Sequence, residues 1–338
     1  MDAGAFAAGK VRKIAVVLAA GIALAAAGLD AAAQYPDKPI KMIVAWPPGG
    51  GTDGVARIVA KHMSERLKQP VVIENRSGAY GQVGTEYVTK SVPDGYTLQY
   101  TVADSHSINP HVFPKIRYDA QKDFTPIAVV GGMPNALMVS NNVPANTLPE
   151  FIRMAKEKPG KFTYSSWGMG SGGHIRMESF KSYMGVDLLH VPFQGSGPGF
   201  AAVLGGQVDA MMVPLGLAES NYKAGKVKLL AVDTPQRYPS VPDVPTLAEM
   251  GIPLTFAFWQ GVLAPAKVPD TIVNYLNREV NATLMEPAVR QELLKVGLVP
   301  GNPGVNGFGG TPQEVRQFLD SEYVRWGKTI QDAKIKVE

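Results

Sequence analysis

The stretch IKMIVAWPPGGGTDGVARIVAKHMSERL, residues 40–67, reads as one complete strand–loop–helix unit. Residues 40–45 are a short apolar run of the kind that forms a buried strand. From 52 to 67, Val55, Ile58, Val59, Met63 and Leu67 recur at helical spacing and define one apolar face. Between them, Trp46 to Gly51 holds two prolines and three glycines, which can extend neither element. A strand that feeds a helix through a sharp loop is the repeating unit of α/β proteins.

The alternation continues outward. Strands are expected at 71–74, 97–102, 125–130 and 136–140, and a helix at 148–156. Strand 162–165, helix 174–183, strand 188–191, helix 198–204, strand 208–213, helix 216–224 and strand 228–232 follow. The last part turns helical, at about 269–284, 287–296 and 312–333. The pattern predicts parallel sheets with helices on both faces. In such sheets ligands lie beyond the carboxyl ends of the strands, so the loops that open helices carry the function.

Bulk properties narrow the class. At 338 residues the length suits about two domains, and 45% hydrophobic with 18% charged residues is a globular composition. Lys10, Arg12 and Lys13 precede an uncharged apolar run from 14 to 29, and Ala31-Ala32-Ala33 supplies a small-residue cleavage pattern. Residues 1–33 therefore read as a secretory signal peptide cut before Gln34. With no cysteine, neither a lipid anchor nor a disulfide is expected, and the mature chain should be free in the periplasm. The formal charge of +4 loses three bases and two acids with the signal, leaving +3. Such a mild excess without a basic run gives nucleic-acid binding no support.

Two loops stand out. Trp46-Pro47-Pro48-Gly49-Gly50-Gly51-Thr52-Asp53 is either an anion cradle, with backbone N–H groups at a helix start, or a sharp turn capped by Thr52 or Asp53. Ser166-Trp167-Gly168-Met169-Gly170-Ser171-Gly172-Gly173-His174 also follows a strand and opens a helix. Its glycines match G-x-G-x-x-G, but no acidic residue ends the next strand, so a dinucleotide cofactor is not expected. His174 is read as packing or capping before ligand contact. Weaker candidates are Ser105 and His106 at the end of the 97–102 strand, Gln194 and Gly195 before the 198–204 helix, and the Gly-rich segment Asn75 to Gly81.

Catalytic chemistry finds no footing. There is no G-x-S-x-G, no H-E-x-x-H and no cysteine nucleophile, and the five histidines lack metal-ligand spacing. Asp53 and Asp104 form a carboxylate pair only if the fold brings them together. A binding protein is expected, with neither cofactor nor metal.

At these loops the sequence resembles the Bug family, the extracytoplasmic solute receptors of tripartite tricarboxylate transporters. The resemblance rests on YPDKPIKMIVAWPPGGGTD (35–53), VVIENRSGAYGQVGTE (71–86), PDGYTL (93–98), INPHVF (108–113), the glycine loop ending in His174, HVPFQGSGP (190–198), LGGQVDAM (204–211), LLAVDTPQR (229–237), PDVPTLAEMG (242–251) and WQGVLAPAKVP (259–269). It implies a periplasmic-binding-protein fold: two α/β domains around a ligand cleft, joined by two strand crossovers. Domain 1 would comprise 34–136 and 255–338, and domain 2 137–254.

The resemblance also implies a small carboxylate ligand held by two Gly-rich loops. The expected ligand-binding set is Trp46, Pro48, Gly49, Gly50, Gly51, Thr52, Asp53, Ser105, His106, Ser166, Trp167, Gly168, Gly170, Ser171, His174, Gln194 and Gly195. Neither main loop contains Lys or Arg, so neutral donors should hold the carboxylate. Trp46, Trp167 and Met169 favour an aromatic acid such as a benzoate, phthalate or pyridine carboxylate; an aliphatic di- or tricarboxylate comes next. Trp167 and Met169 depart from the small or polar residues common there in the family. So does Tyr80 in its glycine-rich segment, and Val213-Pro214-Leu215 replaces a stretch that commonly bears an acid or amide. The implied partners are the transporter's membrane subunits, reached by a monomer. The alternative is a sensing protein that presents its carboxylate to a membrane sensor kinase.

Overall fold

A computed structural model describes residues 35–234, 236–254, 258–299 and 310–335. The expected signal peptide lies outside the described residues. Among these, ten strands form two five-stranded sheets. The first runs β2-β1-β3-β10-β4 and the second β7-β6-β8-β5-β9.

In chain order the first lobe starts with β1 (Ile40–Val44), α1 (Gly51–Leu67), β2 (Val71–Asn75), α2 (Gln82–Thr89), β3 (Thr97–Val102), the short α3 (Asn109–Val112) and β4 (Phe124–Gly132). The second lobe holds β5 (Asn135–Ser140), α4 (Leu148–Glu157), β6 (Thr163–Ser166), α5 (Gly172–Met184), β7 (Leu189–Pro192), α6 (Ser196–Leu204), β8 (Ala210–Pro214), α7 (Leu215–Lys223) and β9 (Val227–Val232). The chain then returns to the first lobe through β10 (Trp259–Pro265), α8 (Asp270–Met285), α9 (Pro287–Lys295) and α10 (Pro312–Asp332). It therefore crosses between sheets twice, between Gly132 and Asn135 and between Val232 and Trp259.

The sheets are mixed, which corrects the expectation of parallel ones. β1 pairs parallel with β2 and β3, but β10 runs antiparallel to β3 and β4. Likewise β5 runs antiparallel to β8 and β9. The reversed strands are the first that the chain forms after each crossing, where no helix has turned it back to the starting edge.

Local chemistry explains the elements. Ile40, Met42, Ile43 and Val44 of β1 are all fully buried, as a strand covered on both faces requires. Helix α1 turns Val55, Val59, Met63 and Leu67 inward at four-residue spacing. Helices α4 and α10 open with capping boxes, Thr147 with Glu150 and Thr311 with Glu314. β10 escaped the sequence reading: WQGVLAP shows no alternation because all seven residues are buried, and its Gln260 is satisfied by the Tyr100 hydroxyl at 2.8 Å.

The lobes touch. Ile108 and Val112 of the first lobe pack with Ile175 of α5 and with Trp326 and Ile330 of α10 in a small separate core. Beside this contact lies the cavity described next.

Candidate functional site

A cavity of about 260 Å³ opens between the lobes. The first lobe contributes Trp46, Pro47, Pro48, Gly49, Gly50, Gly51, Thr52, Asp104, Met133 and Phe258. The second contributes Trp167, Gln194, Gly195, Ser196, Gly197, Pro198 and Pro214. None of these is Lys, Arg or His.

The first loop leaves β1 and turns at Gly49, whose φ of +80° is a left-handed conformation suited to glycine. Asp53 braces this turn from behind. Its Oδ2 accepts the Gly49 N–H at 2.9 Å and Arg57 Nε at 2.8 Å, and its Oδ1 accepts Asn75 Nδ2 at 2.8 Å. Burial pushes this carboxyl up, but Arg57, Gly49 and Asn75 outweigh it and hold it below the usual range. Asp53 therefore shapes the loop and lies off the cavity wall. Gly50, the cap residue before α1, offers no side-chain cap, so the first-turn N–H groups carry the partial positive charge of a helix N-terminus toward the cavity.

The same arrangement recurs across the cavity. Gly195, at φ +108°, precedes α6, which also lacks a side-chain cap. Gln194, Gly195, Ser196 and Gly197 line the wall there. Two uncapped helix starts thus converge on one small space, and both are natural anion sites.

The glycine loop of 166–174 is built differently. Three of its donors already have protein partners: Gly170 N–H donates to His174 Nδ1 at 3.1 Å, His174 N–H to Ser171 Oγ at 3.3 Å, and Gly172 N–H to Asp104 Oδ1 of the other lobe at 2.8 Å. Ser166 Oγ lies 3.0 Å from the Gly168 carbonyl and 2.7 Å from His190 Nε2. A Cβ on Gly168 would stand 2.7 Å from the Tyr80 ring, and one on Gly170 would stand 2.9 Å from Val112 and Phe113. These glycines make room for side chains of the other lobe. Of this loop only Trp167 reaches the cavity; Ser166, Gly168, Gly170, Ser171 and His174 sit behind it. His174 is a packing residue, stacked on His190 at 4.3 Å, which is stacked in turn on Tyr164. Burial depresses both histidines, His190 to about 4 with His174 adding to the effect.

Ser105 and His106 also lie off the wall. They belong to a buried π-helical turn, Asp104–Ile108. His106 Nδ1 is 2.9 Å from Thr101 Oγ1, and its ring meets Phe124 edge-on at 4.5 Å. Burial, with Arg316 nearby, pushes this imidazole down to about 3, so it stays neutral. Ser105 Oγ would lie 3.0 Å from a Cβ on Gly81, whose other neighbour is the Trp46 indole.

Asp104 was not singled out as a ligand residue by the sequence, although it adjoins Ser105. It is 2% exposed and reaches the cavity, with Oδ2 accepting the Trp167 indole N–H at 3.1 Å. Burial raises its carboxyl to about 6, against the pull of Trp167, Gly172 and Arg176. Asp53 is bound by Gly49, Arg57 and Asn75, and Asp104 by Gly172 and Trp167, so the two carboxylates serve different contacts. Met133 and Phe258 also escape the sequence reading, and Pro214 enters it only as part of the departing stretch Val213-Pro214-Leu215. Met133 and Phe258 stand at the crossovers, where no local pattern marks a wall. Trp167 meets Phe258 edge-on at 5.9 Å, giving this side an aromatic face.

Comparison with known proteins fits this architecture. Residues 55–335 match the tripartite tricarboxylate transporter family receptor. Protein BugT of Bordetella pertussis is 33% identical over 323 residues, covering 94% of this chain and 97% of BugT. Rpa4515 of R. palustris, solved with adipate, superposes with a TM-score of 0.82 at 33% identity, covering 89% of this chain and 99% of its own. MatC (Rpa3494) from Rhodopseudomonas palustris, solved with bound malate, gives 0.79 at 33% identity, covering 88% and 100%. No described helix is long and apolar enough to cross a membrane. The chain belongs to the tripartite tricarboxylate transporter receptor family of periplasmic binding proteins, and it is a solute receptor, not an enzyme.

Proposed function

We propose that this receptor captures a small carboxylate between the first turns of α1 and α6 and delivers it to the membrane subunits of a tripartite transporter. The observation that carries the reading is the convergence of two uncapped helix starts on one cavity whose wall, among the described residues, has no basic side chain. Hydrogen bonds from neutral donors to a charged acceptor contribute about 1.5–3 kcal/mol each, so several suffice without a salt bridge. Adipate in one solved relative and malate in another support a carboxylate as the ligand class.

The body of the ligand would rest on Trp46, Trp167, Phe258 and Met133. Flat aromatic walls favour flat partners, by about 0.5–1.5 kcal/mol beyond area burial. An aromatic carboxylate is therefore preferred, with an aliphatic di- or tricarboxylate second. The two lobes, which meet at the crossings between Gly132 and Asn135 and between Val232 and Trp259, would close on it, and the mature chain would start at Gln34 in the periplasm.

The test is a thermal-shift screen of the mature protein against a carboxylate panel, since a ligand that binds only the folded state raises the melting temperature. Gly50→Leu should abolish the shift. A Cβ there meets only the Pro47 carbonyl, at 3.6 Å, so the fold should tolerate the change. Normal binding by that variant would remove the α1 turn from the site.

A further inference from the structure

Among the described residues, the only formal charge on the cavity wall is negative. Asp104, at the end of β3, reaches the cavity beside Trp167 and Phe258, and its two oxygens accept the Gly172 N–H and the Trp167 indole N–H. A carboxylate offers about four acceptor directions, so capacity remains for a ligand donor.

The charges behind Asp104 do not cancel it. Arg176 of α5 is fully buried and bonds Asp233 Oδ2 at 3.2 Å. Arg176 Nη1 and Asp104 Oδ1 each lie 2.9 Å from where a Cβ on Gly172 would stand. One guanidinium thus sits between two buried carboxylates, Asp104 and Asp233. On the side of the first lobe the titratable neighbour is the Tyr118 phenol, which burial holds neutral. Farther along α10, Glu322 is paired with Arg325 at 2.6 Å. The Asp104–Arg176–Asp233 group keeps one net negative charge, and it borders the ligand space.

We infer that Asp104 is a specificity-determining residue: the wall it shares with Trp167 and Phe258 accepts the hydroxyl- or amino-bearing end of a monocarboxylate and rejects a second carboxylate. This rests on the reading that the ligand's carboxylate is held at the starts of α1 and α6. A second carboxylate turned toward Asp104 meets a like charge on a residue only 2% exposed, where solvent screens poorly. A hydroxyl or ammonium meets an acceptor with free lone pairs. The preference differs from that suggested by the adipate and malate of the solved relatives.

The experiment compares matched ligands by calorimetry: 4-hydroxybenzoate against terephthalate, and 6-hydroxyhexanoate against adipate. The wild-type protein should bind one hydroxy acid or both at least tenfold more tightly than the dicarboxylate of the same length, a difference of about 1.4 kcal/mol. Asp104→Asn removes the charge while keeping one acceptor, and should bring each pair to within about threefold, or about 0.6 kcal/mol.

A second measurement needs no variant. Because burial raises both the Asp104 and the Asp233 carboxyl to about 6, the Asp104–Arg176–Asp233 group loses its net negative charge as the pH falls, and terephthalate affinity of the wild-type protein should rise between about pH 8 and pH 6, while the hydroxy acid changes little. His174 and His190, held low by burial, stay neutral over this range. If the dicarboxylates bind as tightly as the hydroxy acids, or if Asp104→Asn leaves the ratio unchanged, Asp104 does not set specificity and the receptor reading stands. If no member of either pair binds, both fall.

Discussion

Gly172→Ala isolates the contact between the lobes from the stability of either one. Gly172 is the first residue of α5, with ordinary backbone angles, so alanine adds no strain. On helix propensity alone it would gain up to about 1 kcal/mol. Its Cβ, however, would lie 2.9 Å from Asp104 Oδ1, from Arg176 Nη1 and from Phe258 Cε2. Asp104 and Phe258 belong to the other lobe, and both flank the cavity. The closed arrangement would suffer overpacking of about 1–3 kcal/mol and weaken the Gly172 N–H bond to Asp104, whose loss costs about 1.5–3 kcal/mol. Helix propensity favours both arrangements equally, so closure should be disfavoured by at least roughly 2 kcal/mol, lowering the closed-to-open ratio about thirtyfold or more. With saturating ligand, small-angle scattering should show a larger radius of gyration than for the wild type, and calorimetry a matching loss of affinity. Melting temperature should move far less, because neither sheet is touched. Gly54→Ala, on α1 with nothing within 4 Å of the added carbon, is the control and should leave radius and affinity alone. An unchanged radius and affinity in Gly172→Ala would refute the view that Asp104 and α5 clasp the lobes together.

Further expectations follow from the same contacts. Ligand binding should shrink the wild-type radius of gyration, since loops from both lobes line the cavity; no change at saturating ligand would exclude hinge closure. Trp167→Ala should weaken an aromatic acid about tenfold and an aliphatic acid of similar size little, measured by calorimetry; equal losses would mean that the indole is only a wall. Asp104 has a folded-state pKa near 6, raised from 3.8, so the folded state holds the extra proton and this group's contribution to stability falls as pH rises from about 4 to 6. Asp104→Asn should therefore become more stable relative to wild type across that window, by up to about 3 kcal/mol, in denaturant titrations at several pH values. A constant difference would show that the carboxyl titrates normally. Arg176→Met leaves Asp233 buried without its cation and should destabilise the protein by about 3–5 kcal/mol; a loss under about 1 kcal/mol would mean that the pair is not buried as described.

Much was legible without coordinates. The β1–loop–α1 unit depends on a short apolar run, a Pro-Gly loop and an apolar helical face, all encoded within 28 residues, and residues 40–67 form it. The alternation through residue 232 and the terminal helices are local signals of the same kind. α2 was missed because QVGTEYVT is too short and too mixed to show a face. β10 was missed because a strand buried among others on both sides needs no alternation. Its antiparallel course depends on where the chain crosses between lobes, which no window of sequence contains.

The sequence by itself determined that glycine-rich loops would stand at helix starts beyond the strands. Only the tertiary structure decided what those glycines are for. Glycine looks the same whether the space it leaves is meant for a ligand or for a neighbouring side chain. Around Gly50 and Gly195 the space stays open, and both helix starts face the cavity uncapped. At Gly168, Gly170 and Gly172 it is taken by Tyr80, Phe113 and Asp104 from the other lobe. Likewise, Ser105 and His106 turn into the core while Asp104, one residue earlier, reaches the cavity. Periodicity and composition are properties of neighbours along the chain. Which donors stay free and which carboxylate meets them depend on residues more than sixty positions apart, as Asp104 and Gly172 are, and only packing brings those together.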